Sequence, residues 1–236
     1  MAGGYGRIAS GLLFVSVAVA GLAACSSGTS SATATATATK ASSNNGFTAA
    51  MLRAALLTRV NGVAAAAPAR SGKYSSLSAA STSKQGASAV QVTPKTCTAA
   101  ATSGFNPTAL AEAPAAAVTF RVGTNEISEV LIASSAKSAS TVLAVSLPAE
   151  CAKYRAKVAG KTYTYGTTEQ AVTGIGEQAQ VLNVQAVGAK SDDRWSLMYR
   201  GKGFVGTVTV VGPDASKEAV MELGKQAYAF AVKSLS

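Results

Sequence analysis

The sequence predicts an α+β domain: a mainly antiparallel sheet flanked by helices from its beginning, middle and end. Three observations carry that reading. Strand-like segments outnumber helical ones, and helical periodicity is confined to residues 47–60, 134–157 and the C-terminus. The strand-like segments also follow one another through links too short for the crossover that a parallel pair needs.

The run "FTAAMLRAALLTRV" puts Phe47, Met51, Leu52, Ala55, Leu56 and Val60 on one face at helical spacing, which predicts a helix over 47–60. The polar stretch "PARSGKYSSLSAASTSKQGA" reads as an irregular loop with one helical turn, and "SAVQVTP" alternates as a short strand closed by Pro94. A short helix and turns are expected from Cys97 to Ala111. "AAAVTFRVG" and "EISEVLIAS" then form two strands around a turn at Gly123–Asn125. Residues 134–157 read as mostly helical with a break at Pro148. "KTYTYGT", "EQAQVLNVQAVGA", "RWSLMYR" and "FVGTVTVVG" follow as four strands. The closing helix is expected to start near Asp214 and to bury Ala219, Val220, Leu223, Ala227, Phe230 and Ala231.

The front of the chain is organised differently. Arg7 precedes an almost unbroken apolar run from Ile8 to Gly21. As a helix that run rises only about 21 Å, short of the roughly 30 Å hydrocarbon layer, so it reads as a cleaved leader rather than a span. It closes on Leu22, Ala23, Ala24 and Cys25, the pattern of a bacterial lipobox, in which the thiol accepts a diacylglycerol and becomes the new amino terminus. Residues 1–24 are therefore read as a lipoprotein signal peptide and Cys25 as the lipidation site. Residues 25–46, with "SSGTSSATATATATKASSNN", form a Ser/Thr/Ala tether that cannot build a core; an unmodified spacer and an O-glycosylated stalk both fit it. Residues 47–236 make up the folded domain.

That address narrows the chemistry. Lys and Arg total 21 against 11 acids, for a net charge of +10 that falls to about +9 once Arg7 leaves with the leader. The excess favours anionic partners: a phospholipid surface or an envelope polymer, since an exported chain does not meet cytosolic nucleic acid. Of three cysteines, Cys97 and Cys151 remain after Cys25, and two thiols outside the reducing cytosol pair. Their bridge closes a loop of about 55 residues, for roughly 4 kcal/mol on the chain-entropy model. No C-x-x-C spacing and no histidine occurs, so a redox pair, a zinc site and a Ser-His-Asp triad are not expected.

Other motifs give way to simpler readings. "GKGFVG" has G-x-G-x-x-G spacing at Gly201, Gly203 and Gly206, but a strand follows where the phosphate-binding fingerprint needs a helix, so a hairpin turn is expected. "STSK" (Ser81–Lys84), "SSAK" (Ser134–Lys137) and "SDD" (Ser191–Asp193) lack the partners and order of a serine-lysine acylation site. Nothing in the spacing of Glu126, Glu129, Glu150, Glu169 and Glu177 pairs them for carboxylate catalysis. The best contact surface is "CAKYRAKVAGKTYTY", with Lys153, Arg155, Lys157, Lys161, Tyr163 and Tyr165; Lys153 and Lys157 would share a helical face and the tyrosines would stack on sugar rings or line a groove.

Together, "VQVTPKTC" leading to Cys97, a middle segment holding Cys151, the R-x-x-x-x-x-R strand from Arg194 to Arg200 that turns into "VTVVG", the glycine turn "VTGIGEQA" and the closing amphipathic helix resemble the actinobacterial cell-envelope lipoproteins with a PknH-like extracellular sensor domain. This chain lacks the second disulfide that such domains commonly carry. The resemblance implies a compact α+β domain with a sheet-lined groove for an extracellular ligand and no established catalysis. The expectation is a non-enzymatic, lipid-anchored binding or sensor protein on the extracytoplasmic face, without cofactor or metal; the alternative is a lipid or glycolipid carrier with an apolar cavity. Replacement Cys25→Ala is expected to abolish incorporation of radiolabelled palmitate and to block removal of residues 1–24, read as the larger mass of the unprocessed chain.

Overall fold

The computed structural model describes residues 46–77, 91–102, 107–144, 146–158, 160–188 and 193–236. The leader, Cys25, nearly all of the tether and the Ser81–Lys84 tetrad lie outside these residues. A nine-stranded antiparallel sheet dominates, in the order β3-β5-β6-β11-β10-β9-β8-β7-β4. Its strands are β3 (Arg70–Lys73), β4 (Gln91–Thr93), β5 (Pro114–Val122), β6 (Asn125–Ala133), β7 (Lys153–Val158), β8 (Lys161–Val172), β9 (Gln178–Ala186), β10 (Arg194–Gly201) and β11 (Phe204–Val211). A small separate hairpin pairs β1 (Arg59–Val60) with β2 (Val63–Ala64). Among the described residues, helices run over α1 (Ala49–Ala54), α2 (Thr98–Thr102), α3 (Ala136–Leu143) and α4 (Lys217–Leu235), and residues 74–77 are helical as well. The α+β expectation holds, with the expected β5–β6 and β8–β11 strands all present. None of the described helices is long and apolar enough to cross a membrane.

Directly paired residues on antiparallel strands point to the same side, so the registers sort every side chain onto one of two faces. One face carries Val118, Phe120, Ile127, Leu131, Val181, Leu197, Tyr199, Phe204, Val208 and Val210; their core includes Leu52, Ala55 and Leu56 from the α1 segment and Val220, Leu223, Ala227 and Ala231 from α4. On the other face, Ala115, Ile132, Met198 and Val205 pack with Ala139, Val142 and Leu143 of α3. Beyond them, Tyr154, Ala156, Leu182 and Val184 pack around Cys97, Ala100 and Cys151.

Gly224 lets α4 close onto the sheet: a Cβ there would stand 1.9 Å from Leu197 Cδ2. Tyr228 from the same helix meets Tyr199 edge-on at 5.6 Å between ring centroids. Tyr199 lies over Gly206, where a Cβ would sit 2.2 Å from its ring. Close approach, rather than phosphate binding, thus explains this glycine. Gly201 pairs with Phe204 across a tight β10–β11 turn, with Gly203 at φ +84°, so "GKGFVG" is a hairpin as expected.

Four features depart from the sequence reading. The helix expected over 47–60 ends at Ala54, because Asn61 and Gly62, with φ 49° and 79°, fold the chain into the β1–β2 hairpin. Met51, expected on the buried face, is exposed. Residues 70–73, expected to be loop, add strand β3 to β5. Residues 149–158 are not helical: after Pro148 a 3₁₀ turn spans Ala149–Ala152, and Lys153–Val158 pairs with both β8 and β4. There Tyr154 and Ala156 are buried while Lys153, Arg155 and Lys157 are exposed, a period of two that overrides the helical spacing. At the C-terminus Ser216, not Asp214, caps the helix by accepting the Ala219 amide, while Asp214 binds Asn125 at the β5–β6 turn.

One charge sits inside the core. Glu129, 1% exposed, accepts the Leu57 amide on Oε2 at 2.8 Å, which ties the exit of α1 to the middle of β6. Burial raises its carboxyl from 4.5 to about 7, with the Leu57 bond pulling the other way. The folded state therefore binds this proton more tightly than the unfolded chain. Its contribution is full below about pH 4.5, falls as pH rises towards 7 and stays low above that. Glu129→Gln is expected to remove that decline, which is on the order of 3 kcal/mol, when denaturant unfolding of variant and parent is compared at pH 4.5 and pH 8.

Candidate anion-binding face

The apolar cover of the α4 face ends before the sheet does. Towards the β8-β7-β4 edge the same face carries polar and charged side chains, and the registers align them in rows. Arg155 stands between Thr93 of β4 and Thr164 of β8; Lys157 stands between Gln91 and Thr162. Lys153 faces Gly166, which in turn faces Gln185 of β9. Lys153, Arg155 and Lys157 are all exposed, and none joins an ion pair among the described residues. Thr93, Pro94, Lys153, Tyr154, Arg155 and Thr164 line an open hollow of about 460 Å³ at this edge. The arrangement offers three cations in line with hydroxyl and amide donors on either side. That set suits anionic oxygen ligands through charge-assisted hydrogen bonds.

The contact surface read from the sequence divides between the two faces. Lys153, Arg155 and Lys157 share one face because an even spacing along a strand has the same effect as i, i+4 on a helix. Lys161, Tyr163 and Tyr165 alternate with Thr162 and Thr164 and project from the opposite face. Tyr165 stacks on buried Tyr154 at 5.4 Å, and Tyr163 tilts against Tyr165 at 6.5 Å. Burial pushes the Tyr154 hydroxyl up to about 12. The tyrosines therefore do not flank the basic row, and their stacking partners are one another. Gln91, Thr93, Thr162 and Thr164, which do flank it, were not singled out by the sequence reading. Only the pairing partner of each cation identifies them.

No protein-family model matches the chain, and no curated protein does. Among solved structures it is similar to the extracellular domain of PknH from Mycobacterium tuberculosis, at 13% identity and a TM-score of 0.45, over 72% of this chain and 83% of that one. It is also similar to an uncharacterised Mycobacterium smegmatis protein, an ortholog of Rv0999, at 15% identity and a TM-score of 0.38, over 61% and 77% of the two chains. Both are distant likenesses of fold.

The edge that carries the basic row is held from behind. Cys97, in the 3₁₀ turn Lys95–Cys97 directly after β4, and Cys151, directly before β7, are joined in a disulfide with Cα atoms 5.3 Å apart and no exposed surface. Arg194 of β10 donates to the carbonyls of Ala100 at 2.5 Å and Ala101 at 3.0 Å, fixing α2 over the same region. The Thr167 hydroxyl donates to the Cys151 carbonyl, and Glu169 accepts the Leu147 amide at 2.9 Å.

The remaining motif residues have partners within the fold. Ser134 donates to the Ser135 carbonyl, and Ser135 caps α3. Glu177 pairs with Arg200 at 3.0 Å, Glu150 accepts from Thr96 at 3.3 Å, and Glu126 stands across from Arg121. Ser191 and Asp192 lie outside the described residues, and the Asp193 carbonyl accepts the Gly212 amide.

Because the disulfide ties the turn after β4 to the turn before β7, the strand that carries the row, the double replacement Cys97→Ala with Cys151→Ala is expected to lower stability by about 2–4 kcal/mol in denaturant unfolding. Hydrogen exchange is expected to show β4 opening first.

Proposed function

We propose that this chain is a lipid-anchored, non-catalytic binding protein of the extracytoplasmic face, in which the Ser/Thr/Ala tether carries a sheet domain that captures an anionic component of the cell envelope. The row Lys157, Arg155 and Lys153, exposed and flanked in register at Arg155 and Lys157 by Gln91, Thr93, Thr162 and Thr164, on a sheet end that no described element covers, carries this reading. The net charge of about +9 left once Arg7 is removed with the leader supplies a favourable long-range field, and the aligned side chains supply the local contact. The Cys97–Cys151 bridge supports an oxidising compartment.

The carrier reading needs an enclosed apolar cavity. The apolar side chains named above on both faces are instead packed into helix- and turn-covered cores, and the hollow at the edge is open rather than enclosed, with Thr93, Thr164, Lys153 and Arg155 beside Pro94 and Tyr154. Surface capture fits the geometry better.

The test is retention on heparin, a generic polyanion. The parent protein is expected to elute well above physiological salt, and Lys153→Glu with Arg155→Glu and Lys157→Glu to elute at or below it. Lys161→Glu, on the other face, is expected to shift elution only slightly. Equal retention of the triple variant and the parent, with circular dichroism unchanged, overturns the reading.

A further inference from the structure

The spacing of the row specifies more than the sign of the partner's charge. Lys153, Arg155 and Lys157 occupy alternate positions of one straight strand, so their Cα atoms follow one another at about 7 Å and span about 14 Å. Flanking donors repeat with the same period, Thr93 and Thr164 beside Arg155 and Gln91 and Thr162 beside Lys157. At the third step Gly166 has no side chain, and a Cβ there would meet nothing within 4 Å, which leaves open ground beside Lys153. A compact single anion can engage one such step. Only an extended ligand with one negative group per step engages all three.

Resting on the anion-binding reading above, we infer that the partner is a linear phosphodiester polymer laid along β7, with one phosphate opposite each of Lys153, Arg155 and Lys157. A three-carbon diol between successive phosphodiesters, when extended, separates the phosphates by about the distance that separates alternate residues of a strand. Each phosphate presents charged oxygens that a cation and two lateral donors can satisfy together at the Arg155 and Lys157 steps, and that Lys153 meets over open ground at the third. A fluid sheet of lipid headgroups has no such one-dimensional repeat.

The probes are synthetic propanediol phosphodiester oligomers with one, three and six phosphates, inorganic phosphate, and vesicles with and without phosphatidylglycerol. The protein is the mature chain from residue 25 carrying Cys25→Ala, made without the leader, so that neither leader nor acyl chain inserts into the vesicles. Affinity is expected to rise at least tenfold from one to three phosphates and only about twofold from three to six. The slope of log K against log salt for the trimer is expected to be about −2, for three neutralised phosphates of a single strand. Each of Lys153→Met, Arg155→Met and Lys157→Met should reduce that slope by about 0.7, while Lys161→Met leaves it unchanged.

Equal affinity for one and three phosphates, with heparin retention intact, overturns the polymer inference and leaves general anion capture standing. Binding to phosphatidylglycerol vesicles but not to the oligomers overturns it in favour of a membrane surface. Failure to bind heparin, vesicles and oligomers alike overturns both readings.

Discussion

The eight-residue ladder between β10 and β11 at the middle of the sheet is the constraint on which the other placements depend. Its register sets Leu197 against Val208 and Tyr199 against Gly206 on one face, and Met198 against Thr207 on the other. Since side chains alternate strictly, a slip of one residue would exchange the two faces and turn Tyr199 away from α4. The choice propagates outward through β9 and β8 to β7, where it puts Arg155 in the open and Tyr154 in the core. The cationic row is thus specified some distance away, by packing in which it takes no part.

The two faces also divide the work. One is covered by α1 and α4 over the central strands and by none of the described elements at the β4 end. The other is closed by α3, and at the β4 end by the disulfide, α2 and the Arg194 contacts with its carbonyls. The β4 end is therefore backed by the part of the molecule with a covalent crosslink. The β4 margin gains from such backing, because an edge strand has a hydrogen-bonded neighbour on one side only.

Much of this was legible in the chain. Strands β5, β6 and β8 to β11 follow from alternation and glycine-bearing turns, and the pairing of Cys97 with Cys151 follows from their number once Cys25 is assigned elsewhere. What escaped had local signals of two kinds at once. Residues 149–158 satisfy both an i, i+4 and an i, i+2 pattern, and only partner strands on both sides decide for the latter. The helix over 47–60 continues on apolar periodicity alone, yet the Asn61–Gly62 pair was a readable hairpin signal within reach of it. The division of the basic-aromatic segment between two faces required the strand assignment first. The buried position of Glu129 had no signal in spacing, because one acid inside an apolar strand is ordinary until the neighbouring backbone is known.

The sheet's two margins have a further consequence. β3 offers four residues, of which Arg70 and Lys73 are charged, and β4 offers three before Pro94 removes a donor. Short, charged or proline-stopped borders make poor templates for another chain's backbone. Copies brought close together would thus tend to stay separate molecules rather than join edge to edge through their backbones.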